Sequence, residues 1–356
     1  MSLDVGRRVG RPELADVDFV AEELRPYLAD LLARELTTWR ERGTPWWDSP
    51  EMLTGYLDGG KALRPRFCYW GHASAGGDNR DLLLKACAAL EFLHSFALIH
   101  DDLMDDSDTR RGRAALHRQI AAQHRRRGWA GDADGYGHAM AMLTGDHAFA
   151  IASRLAAALP APALAAWQQM VDMLVLGQFL DLAGTARQDR SAEVARTTTL
   201  LKSAQYTVTG PLRIGAALAG VWKLPAALVR YGDLVGEAFQ LRDDLLGVFG
   251  DPECVGKPVG DDLACGKPTQ LLAYAAGLLP PRGQALLALA GPAALTRAQV
   301  AELAAELIAC GARDGVEQKI QRNVELACVS LDGAGLPPPA TAALRHLALA
   351  AGERQR

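Results

Sequence analysis

Helical periodicity runs through nearly the whole chain of 356 residues and is broken only by short clusters of Gly, Pro and Asp. Two of the segments between these clusters, residues 191–219 and 226–249, exceed 20 residues, and ten or more segments are helical in pattern. The alternating pattern of β-strands and the spacing of solenoid repeats do not occur. The sequence therefore predicts one all-α domain over residues 1–356, with residues 1–20 as a flexible extension. Its bundle of ten or more helices would surround a central cavity lined by inward-facing side chains.

The overall charge and the cysteines exclude several classes of protein. A formal net charge of −4 leaves no general basic field for nucleic acid. The six cysteines show no Cys-x-x-Cys spacing, which is typical of reduced, buried side chains. Residues 1–12 lack the apolar core of a signal peptide. The apolar stretch 139–159 contains Asp146, His147 and Arg154, which favours a core helix over a membrane span. We therefore expect a cytoplasmic protein without a membrane span.

Five aspartates fall within eight residues and are followed by two arginines and a glycine. On a helix, Asp101 and Asp105 lie one turn apart on the same face, with Asp102 on the flank. Their like charges repel each other at this spacing. Mg²⁺ would neutralise this repulsion, because it binds one or two carboxylates and completes its shell with water and phosphate. The guanidinium groups of Arg110 and Arg111 suit the phosphate itself. For this run alone, a solvated acidic helix end is the alternative.

A second acidic pair, Asp243 and Asp244, lies far downstream and precedes a glycine-rich loop that carries Lys257 and Lys267. Two acidic faces on separate helices, looking across one cavity, could hold several Mg²⁺ ions around one diphosphate. Such an arrangement makes diphosphate a good leaving group by neutralising the charge that develops on it. An amphipathic helix end followed by an ordinary Gly-Lys loop is the alternative for this pair taken alone.

A basic element precedes both acidic motifs. Two glycines come before Lys61, and Arg64 follows three residues later on the same face of one turn. This element predicts a pocket for a second diphosphate that needs no metal, and a glycine-led start to a cationic helix is the alternative. His94 lies on roughly the same face as Asp101, two turns earlier, and could donate a hydrogen bond to phosphate. A purely structural histidine is the alternative.

Taken in order, these elements resemble the trans-isoprenyl diphosphate synthases, also called polyprenyl synthetases, over roughly residues 50–270. The motifs that carry the resemblance are Gly-Gly-Lys-x-x-Arg-Pro, Glu91-x-x-His94, Asp-Asp-x-x-Asp with Arg-Arg-Gly, Gly177-Gln178-x-x-Asp181, Lys202-Ser203, Phe239-Gln240-x-x-Asp243-Asp244 and the two-lysine loop. The resemblance implies the isoprenoid synthase fold, a homodimer, and an active site inside each helical barrel. It also implies a prenyltransferase that condenses isopentenyl diphosphate with an allylic diphosphate, head to tail, with three Mg²⁺ ions per site.

The resemblance assigns roles to individual residues. The expected Mg²⁺ ligands are Asp101, Asp105 and Asp243. Further ligands, direct or through water, are Asp102 and Asp244. The groups expected to hold the allylic diphosphate are Arg110, Lys202, Lys257 and Lys267. Those expected to hold isopentenyl diphosphate are Lys61, Arg64, His94 and Arg111. Ser203, in place of the more usual threonine, and Gln240 stand where the family stabilises the allylic cation.

Three positions depart from the family pattern. Gly247 occupies the third acidic position of the second motif, so that helix supplies two carboxylates and not three. Ala62 replaces a common arginine and removes one auxiliary cation. Ala114 stands where proline is frequent, and we treat this change as neutral.

The residues just before the first motif predict the length of the product. Phe96 is the fifth residue before Asp101, roughly 7.5 Å down the helix axis, and Ala97 lies one turn below the aspartate. A ring at this depth can form the floor of the cavity, and the combination resembles geranylgeranyl (C20) synthases. Ordinary core packing of Phe96 is the alternative. Farnesyl synthesis and synthesis of C25 and longer chains are the alternative activities.

Three rival functions are weaker. A class I terpene cyclase also uses an Asp-rich helix, but it needs no site for isopentenyl diphosphate. A metal phosphohydrolase built on His100 and Asp101 leaves the second aspartate pair and both lysines unexplained. A non-catalytic subunit of a heteromeric synthase tends to lose the aspartates that this chain keeps.

Overall fold

Helices contain most of the residues that the computed structural model describes, which are residues 15–42, 49–58, 60–251, 260–291 and 295–353. The helices before the first acidic motif and through it are α1 (Ala15–Phe19), α2 (Arg25–Glu41), α3 (Ser49–Leu57), α4 (Leu63–Ser74) and α5 (Arg80–Met104). Those in the middle of the chain are α6 (Leu116–Arg126), α7 (Ala133–Ala156), α8 (Ala161–Arg187), α9 (Ala192–Thr199), α10 (Gly210–Leu218) and α11 (Ala226–Phe249). The last are α12 (Asp261–Ala264), α13 (Gln270–Ala275), α14 (Pro281–Leu289), α15 (Arg297–Ala309), α16 (Ala312–Asp332) and α17 (Pro338–Gly352).

Two π-helical segments, π1 (Val20–Leu24) and π2 (Leu200–Thr209), continue the adjoining α-helices without a break. The long helix expected over residues 191–219 is therefore continuous from Ala192 to Leu218, with π2 in its middle. The helix expected over residues 226–249 has the predicted bounds. The all-α prediction is confirmed.

The buried hydrophobic side chains form two clusters. One is built mainly by α1 to α8, and the other mainly by α11 to α17, while α4 and α10 contribute to both. Glycines allow α4 and α10 to cross closely, because a Cβ on Gly71 would lie 2.2 Å from the carbonyl oxygen of Leu212, and one on Gly215 would lie 2.0 Å from that of Cys68. This crossing joins the half of the fold that carries the first acidic motif to the half that carries the second.

Residues 15–20, which are part of the extension expected over residues 1–20, are helical and packed against the bundle. The Asp16 carboxylate is buried and accepts a hydrogen bond from Arg66 on α4. Phe19 is also buried, with the Arg80 guanidinium 4.4 Å above the centre of its ring. A buried ion pair and a buried ring hold this segment against α4 and α5. Residues 1–14 lie outside the described residues.

Strands occur in the described part of the chain only as a short antiparallel pair, β1 (Thr109–Arg110) and β2 (Arg113–Ala114). Arg111 and Gly112 form the turn between them, with φ values of +52° and +73°. Glycine reaches this left-handed region without steric cost, whereas arginine rarely adopts it. The turn therefore fixes the direction of the two consecutive arginines that follow the first motif.

One described helix, α5, is long and apolar enough to cross a membrane, with a mean hydropathy of 1.7 over its most apolar 18 residues. Of that window, 61% is buried inside the structure. The same helix carries Asp101 and Asp102. Its apolar surface thus packs within the bundle, and the absence of a membrane span stays a prediction.

Candidate active site

The first acidic motif lies at the end of α5. The Asn79 side chain caps the start of this helix by accepting from the backbone N–H of Leu82 at 3.1 Å, and Asp105 is its C-cap residue. Lys202 donates to the Asp101 carboxylate at 3.0 Å, and Lys267 donates to that of Asp105 at 3.2 Å. Two cations from distant parts of the sequence therefore meet the predicted metal-binding aspartates.

A third aspartate, Asp181 on α8, joins the two lysines. Its Oδ2 atom accepts from Lys202 at 2.7 Å and lies 3.4 Å from the Lys267 ammonium. Burial disfavours the charge of Lys267, yet Asp181 and the neighbouring carboxylates outweigh burial and hold its pKa well above the usual value. The Gly177-Gln178-x-x-Asp181 motif by itself indicates no role for Asp181, because its position between both lysines depends on how α8 packs against π2.

Nearby cations oppose the effect of burial on the carboxyl pKa values at the first motif. Burial disfavours the Asp101 carboxylate, but Lys202, Lys267 and Arg110 hold its pKa well below the usual range. At Asp105 burial prevails over Lys267, and the pKa of that carboxyl is raised. The two aspartates of one helical face thus differ in basicity before any metal is considered.

The second motif lies on α11, where Asp244 is buried and Asp243, one residue earlier, is half-buried. Gln240 donates its amide N–H to Asp244 at 2.9 Å and accepts from the Ser203 hydroxyl at 2.5 Å. Burial and the nearby carboxylates of Asp262 and Asp243 raise the pKa of Asp244 to about 7. Ser203, Gln240 and Asp244 therefore form one hydrogen-bonded chain between π2 and α11.

A carboxylate from outside α11 lies beside the missing third acidic residue. A Cβ on Gly247 would lie 2.8 Å from Oδ2 of Asp262, which is carried by α12. The Asp262 charge also raises the pKa of Lys267, the lysine that contacts Asp105. Gly247 removes the third carboxylate of the second motif, and Asp262 places a carboxylate beside that position.

A separate basic site surrounds the buried carboxyl of Glu91. Burial raises its pKa, and the charges of Arg64 and Arg111 oppose this rise. Arg64 donates to the Thr207 hydroxyl at 3.1 Å and lies 4.1 Å above the Tyr206 ring. The Tyr206 hydroxyl in turn lies 3.4 Å from Nδ1 of His94.

The expected members of the isopentenyl diphosphate site, Arg64, His94 and Arg111, are thus brought to one place, with Lys61 in the loop before α4. Sequence reasoning missed three participants, which are Glu91, Tyr206 and Thr207. The Glu91-x-x-His94 pattern was the available signal for the first of them.

The two consecutive arginines point to different neighbours. Arg110 donates to the buried Asp102 carboxylate through Nε at 2.9 Å and lies 3.7 Å from Asp101. Arg111 donates to the backbone carbonyl of Tyr56 at 3.3 Å, and a Cβ on Gly60 would lie 3.3 Å from its guanidinium. The left-handed turn of the hairpin therefore directs Arg110 toward the acidic motif and Arg111 toward the Glu91 site.

Close packing of α8 against π2 positions Lys202. A Cβ on Gly177 would lie 2.4 Å from the backbone nitrogen of Lys202 and 2.7 Å from its Cα. A π-helical turn carries an extra residue, and such turns are frequent at functional sites. Gly177 and π2 together bring the Lys202 backbone against α8, so its ammonium reaches both Asp101 and Asp181.

Phe96 and Ala97 are both half-buried on α5. The Phe96 ring lies 4.4 Å from the His100 ring and 5.1 Å from the Phe149 ring, centre to centre. Phe149 stacks in turn on Trp167 at 6.2 Å. Aromatic packing between α5, α7 and α8 therefore surrounds the position that the sequence analysis assigned to product length. Lys257 lies outside the described residues.

The donor set of the two motifs fits Mg²⁺. Asp101 and Asp105 present carboxylate oxygens from α5, and Asp243 and Asp244 come from α11, with Lys267 electrostatically coupled to both groups. Hard oxygen ligands of this kind suit Mg²⁺, which retains water and binds substrate phosphate. Lys202, Lys267 and Arg110 lie directly beside the carboxylates of the first motif, and cations of this kind bind phosphate. The arrangement can therefore hold a metal–diphosphate group.

Comparisons with known proteins agree with this geometry. A family model described as "Polyprenyl synthetase" matches residues 49–307. The (2E,6E)-farnesyl diphosphate synthase of Mycobacterium tuberculosis H37Rv is 32% identical over 345 residues, which are 94% of this chain and 89% of that protein. The geranylgeranyl diphosphate synthase of the same organism is 31% identical over 306 residues, or 82% of this chain and 80% of that protein.

A solved structure is also similar. The geranylgeranyl pyrophosphate synthase of Corynebacterium glutamicum, complexed with isoprenyl diphosphate and magnesium, superposes with a TM-score of 0.88 at 37% identity. The superposition covers 95% of this chain and 99% of that one. Fold, site and relatives agree, and the chain belongs to the polyprenyl synthetase family of prenyltransferases.

Proposed function

We propose that this prenyltransferase condenses isopentenyl diphosphate with an allylic diphosphate, head to tail, and that it depends on Mg²⁺ and makes geranylgeranyl diphosphate (C20). The observation that carries the proposal is that the first acidic motif contacts Lys202 and Lys267 and that the charge of Lys267 also acts on Asp244 of the second, beside a separate arginine site. One site suits a metal-bound diphosphate, and the other suits a diphosphate held by cationic side chains alone.

The residues of the acidic site have distinct tasks in this reaction. Asp101, Asp105 and Asp243 would hold Mg²⁺, which neutralises the charge that develops on the leaving diphosphate. Lys202 and Lys267 bind the same diphosphate, and each exchanges an aspartate for a phosphate oxygen. Their charges lie where negative charge increases as the carbon–oxygen bond breaks, so they stabilise the transition state more than the bound substrate.

Ser203 and Gln240 stabilise the allylic cation. Gln240 donates to Asp244, so its amide cannot rotate freely, and its carbonyl oxygen accepts from Ser203. An oriented carbonyl dipole in a water-poor cavity stabilises positive charge without reorganising during the reaction. The double bond of isopentenyl diphosphate then attacks the cation, and the departed diphosphate accepts the proton that is lost.

The adjacent arginines give a prediction about substrate binding. We expect Arg111→Gln to raise the KM for isopentenyl diphosphate by about 10- to 100-fold, which corresponds to the free energy of one hydrogen bond to a charged group. The KM for the allylic substrate should stay nearly unchanged. Arg110→Gln should do the reverse, because Arg110 lies at Asp101 and Asp102. Arg113→Gln, in the same hairpin, is the control. Equal effects of Arg110→Gln and Arg111→Gln on both KM values would contradict two separate diphosphate sites.

One assay tests the proposed function. The purified protein is incubated with isopentenyl diphosphate, Mg²⁺ and a C5, C10 or C15 allylic diphosphate, and the products are sized. We expect condensation that ends at C20. Hydrocarbon formed from geranylgeranyl diphosphate alone would indicate a terpene cyclase, phosphate released from nucleotides would indicate a phosphohydrolase, and no reaction would indicate a non-catalytic subunit.

Phe96 gives a prediction about product length. We expect Phe96→Ala to shift products beyond C20, because removal of the ring opens the path along α5 away from Asp101. Phe149→Ala is the matched control for lost aromatic packing, since Phe149 lies against both Phe96 and Trp167. An unchanged product from Phe96→Ala would leave Phe96 as a core residue and not the floor of the cavity.

We further propose a cytoplasmic homodimer. Large apolar side chains are exposed on the two helices beside the site, with Met142 and Leu143 on α7 and Leu176 and Phe179 on α8. Phe179 is 70% exposed, which is costly for a side chain of this size in water. A second copy of the chain would bury this surface.

A further inference from the structure

A second group of metal-ligand side chains lies just past the first motif. Asp106, His117 and His138 each offer one donor atom, and all three atoms lie within 4.8 Å of one another. The nearest oxygen of Asp106 is 3.8 Å from Nε2 of His117 and 3.5 Å from Nε2 of His138. The ring centres of the two histidines are 4.7 Å apart. Three elements contribute, namely the loop after α5, the start of α6 and the start of α7.

His117 is the observation that points to a ligand. Its side chain is 1% exposed, and neither ring nitrogen has a hydrogen-bond partner among the described residues. An imidazole buried without partners loses the free energy of its hydrogen bonds to water and gains nothing in return. The 3.8 Å separation from Asp106 is too long for a hydrogen bond but leaves space for an ion between the two groups.

His138 is already in the tautomer that a metal requires. Its Nδ1 atom lies 2.9 Å from the backbone carbonyl of Asp134, which can only accept, so Nδ1 carries the proton. The lone pair of the ring is therefore on Nε2, the atom that lies 3.5 Å from Asp106. A ligating histidine that donates its other N–H to a carbonyl is the usual arrangement in metal sites.

The donor chemistry distinguishes this group from the Mg²⁺ site. Mg²⁺ prefers oxygen ligands, whereas two imidazoles and one carboxylate suit Zn²⁺ and related transition metals. Metal–ligand distances near 2.0–2.2 Å require the three donor atoms to approach one another to roughly 3.3 Å. His138 is half-buried and Asp106 is exposed, so both can move toward the fixed His117.

Arg118 affects metal binding at this site in two opposite ways. Arg118 donates to Asp106 and to Asp108, both at 2.9 Å, and so competes for the Asp106 oxygen. Burial, with the charges of Arg118 and His138, also lowers the pKa of His117 and favours the neutral imidazole that binds metal. Asp108 can retain Arg118 when Asp106 turns to an ion.

We propose that Asp106, His117 and His138 bind one transition-metal ion of the Zn²⁺ class, separate from the Mg²⁺ of the condensation. The ion would fasten the loop that joins Asp105 to Arg110 to the starts of α6 and α7. Asp106 has a φ of +47°, a left-handed conformation that is costly for a residue other than glycine and that the ion would help to hold.

A cobalt titration tests the site. Chelator-treated full-length protein in excess Mg²⁺ is titrated with Co²⁺, and its visible d–d absorption is recorded before Zn²⁺ is added to compete. We expect one equivalent to bind with a tetrahedral spectrum and Zn²⁺ to displace it. His138→Gln should lower the affinity at least tenfold, and Arg118→Gln should raise it. His147→Gln is the control, because His147 also lies near a carboxylate, 3.6 Å from Glu35.

Two further outcomes decide the proposal. Asp101→Ala should leave the Co²⁺ spectrum and affinity unchanged, because the catalytic carboxylates do not contribute to this site. A spectrum that Asp101→Ala removes, or one that His138→Gln leaves unchanged, would overturn the proposal, as would the absence of a tetrahedral band. His138 is at the edge of the bundle, so its replacement tests the site even where replacement of the buried His117 prevents folding.

Discussion

Asp101→Ala is expected to reduce condensation by about 10³-fold or more, since charge stabilisation at a leaving group contributes several kcal/mol. The carboxylate contacts Lys202 and lies near Arg110, so its removal takes away an expected metal ligand and one of the charges that position these two cations. Asp243→Ala should cause a loss of similar size from the opposite side of the cavity. The rate of product formation at saturating Mg²⁺ and substrates measures both effects.

Asp108→Ala is the matched control for this experiment. It belongs to the same acidic run but contacts Arg118 on the exposed side of the loop. Circular dichroism and thermal unfolding should show that all three variants are folded, because Lys202 keeps Asp181 as a partner when Asp101 is lost. Turnover of Asp101→Ala within a factor of a few of the parent would remove Asp101 from the metal site.

Gly177→Ala is expected to reduce kcat by about 10- to 100-fold, because a misplacement of about 1 Å far from the reacting atoms can cost that much. The new Cβ would lie 2.4 Å from the backbone nitrogen of Lys202, so π2 must move away from α8. Overpacking of this kind also lowers the free energy of unfolding by roughly 1–3 kcal/mol. Steady-state kinetics and urea unfolding measure the two effects separately.

Gly333→Ala provides the comparison for this substitution. Gly333 ends α16, and a Cβ there meets no atom within 4 Å. It should therefore leave kcat unchanged and should not lower the free energy of unfolding. Full activity in Gly177→Ala would show that the close approach of α8 and π2 is unnecessary for placing Lys202.

The parts of the site that depend on one helix could be predicted from the sequence. Helical spacing alone placed Asp101 and Asp105 on one face, and the structure has both in contact with lysines. The division of Arg110 and Arg111 between two diphosphates, inferred from the family, agrees with their different neighbours. The chemical class of the protein followed from the order of motifs along the chain.

The parts that depend on packing between distant helices could not be predicted. Asp181 acquires its role only when α8 approaches Lys267, and Asp262 acquires its role only when α12 approaches Gly247 on α11. The helical pattern of residues 191–219 indicated a continuous helix but not the π-helical turn that carries Lys202 and Ser203. The contact of the buried Asp16 with Arg66, 50 residues later, likewise could not be predicted from the sequence.

In the proposed reaction, the ion pairs of Lys202 and Lys267 with Asp101, Asp105 and Asp181 would link the binding of Mg²⁺ to the binding of the allylic diphosphate. A cation that arrives alone must displace a lysine, and a diphosphate that arrives alone must draw a lysine away from its aspartate. When both bind, the aspartates pair with the cation and the lysines pair with the diphosphate. The free energy needed to break the lysine–aspartate ion pairs is then spent once and not twice. By thermodynamic reciprocity, each component then increases the affinity for the other by the same factor. On this proposal, the lysines would act as internal counter-ions that make the enzyme select the metal–diphosphate complex over either component alone.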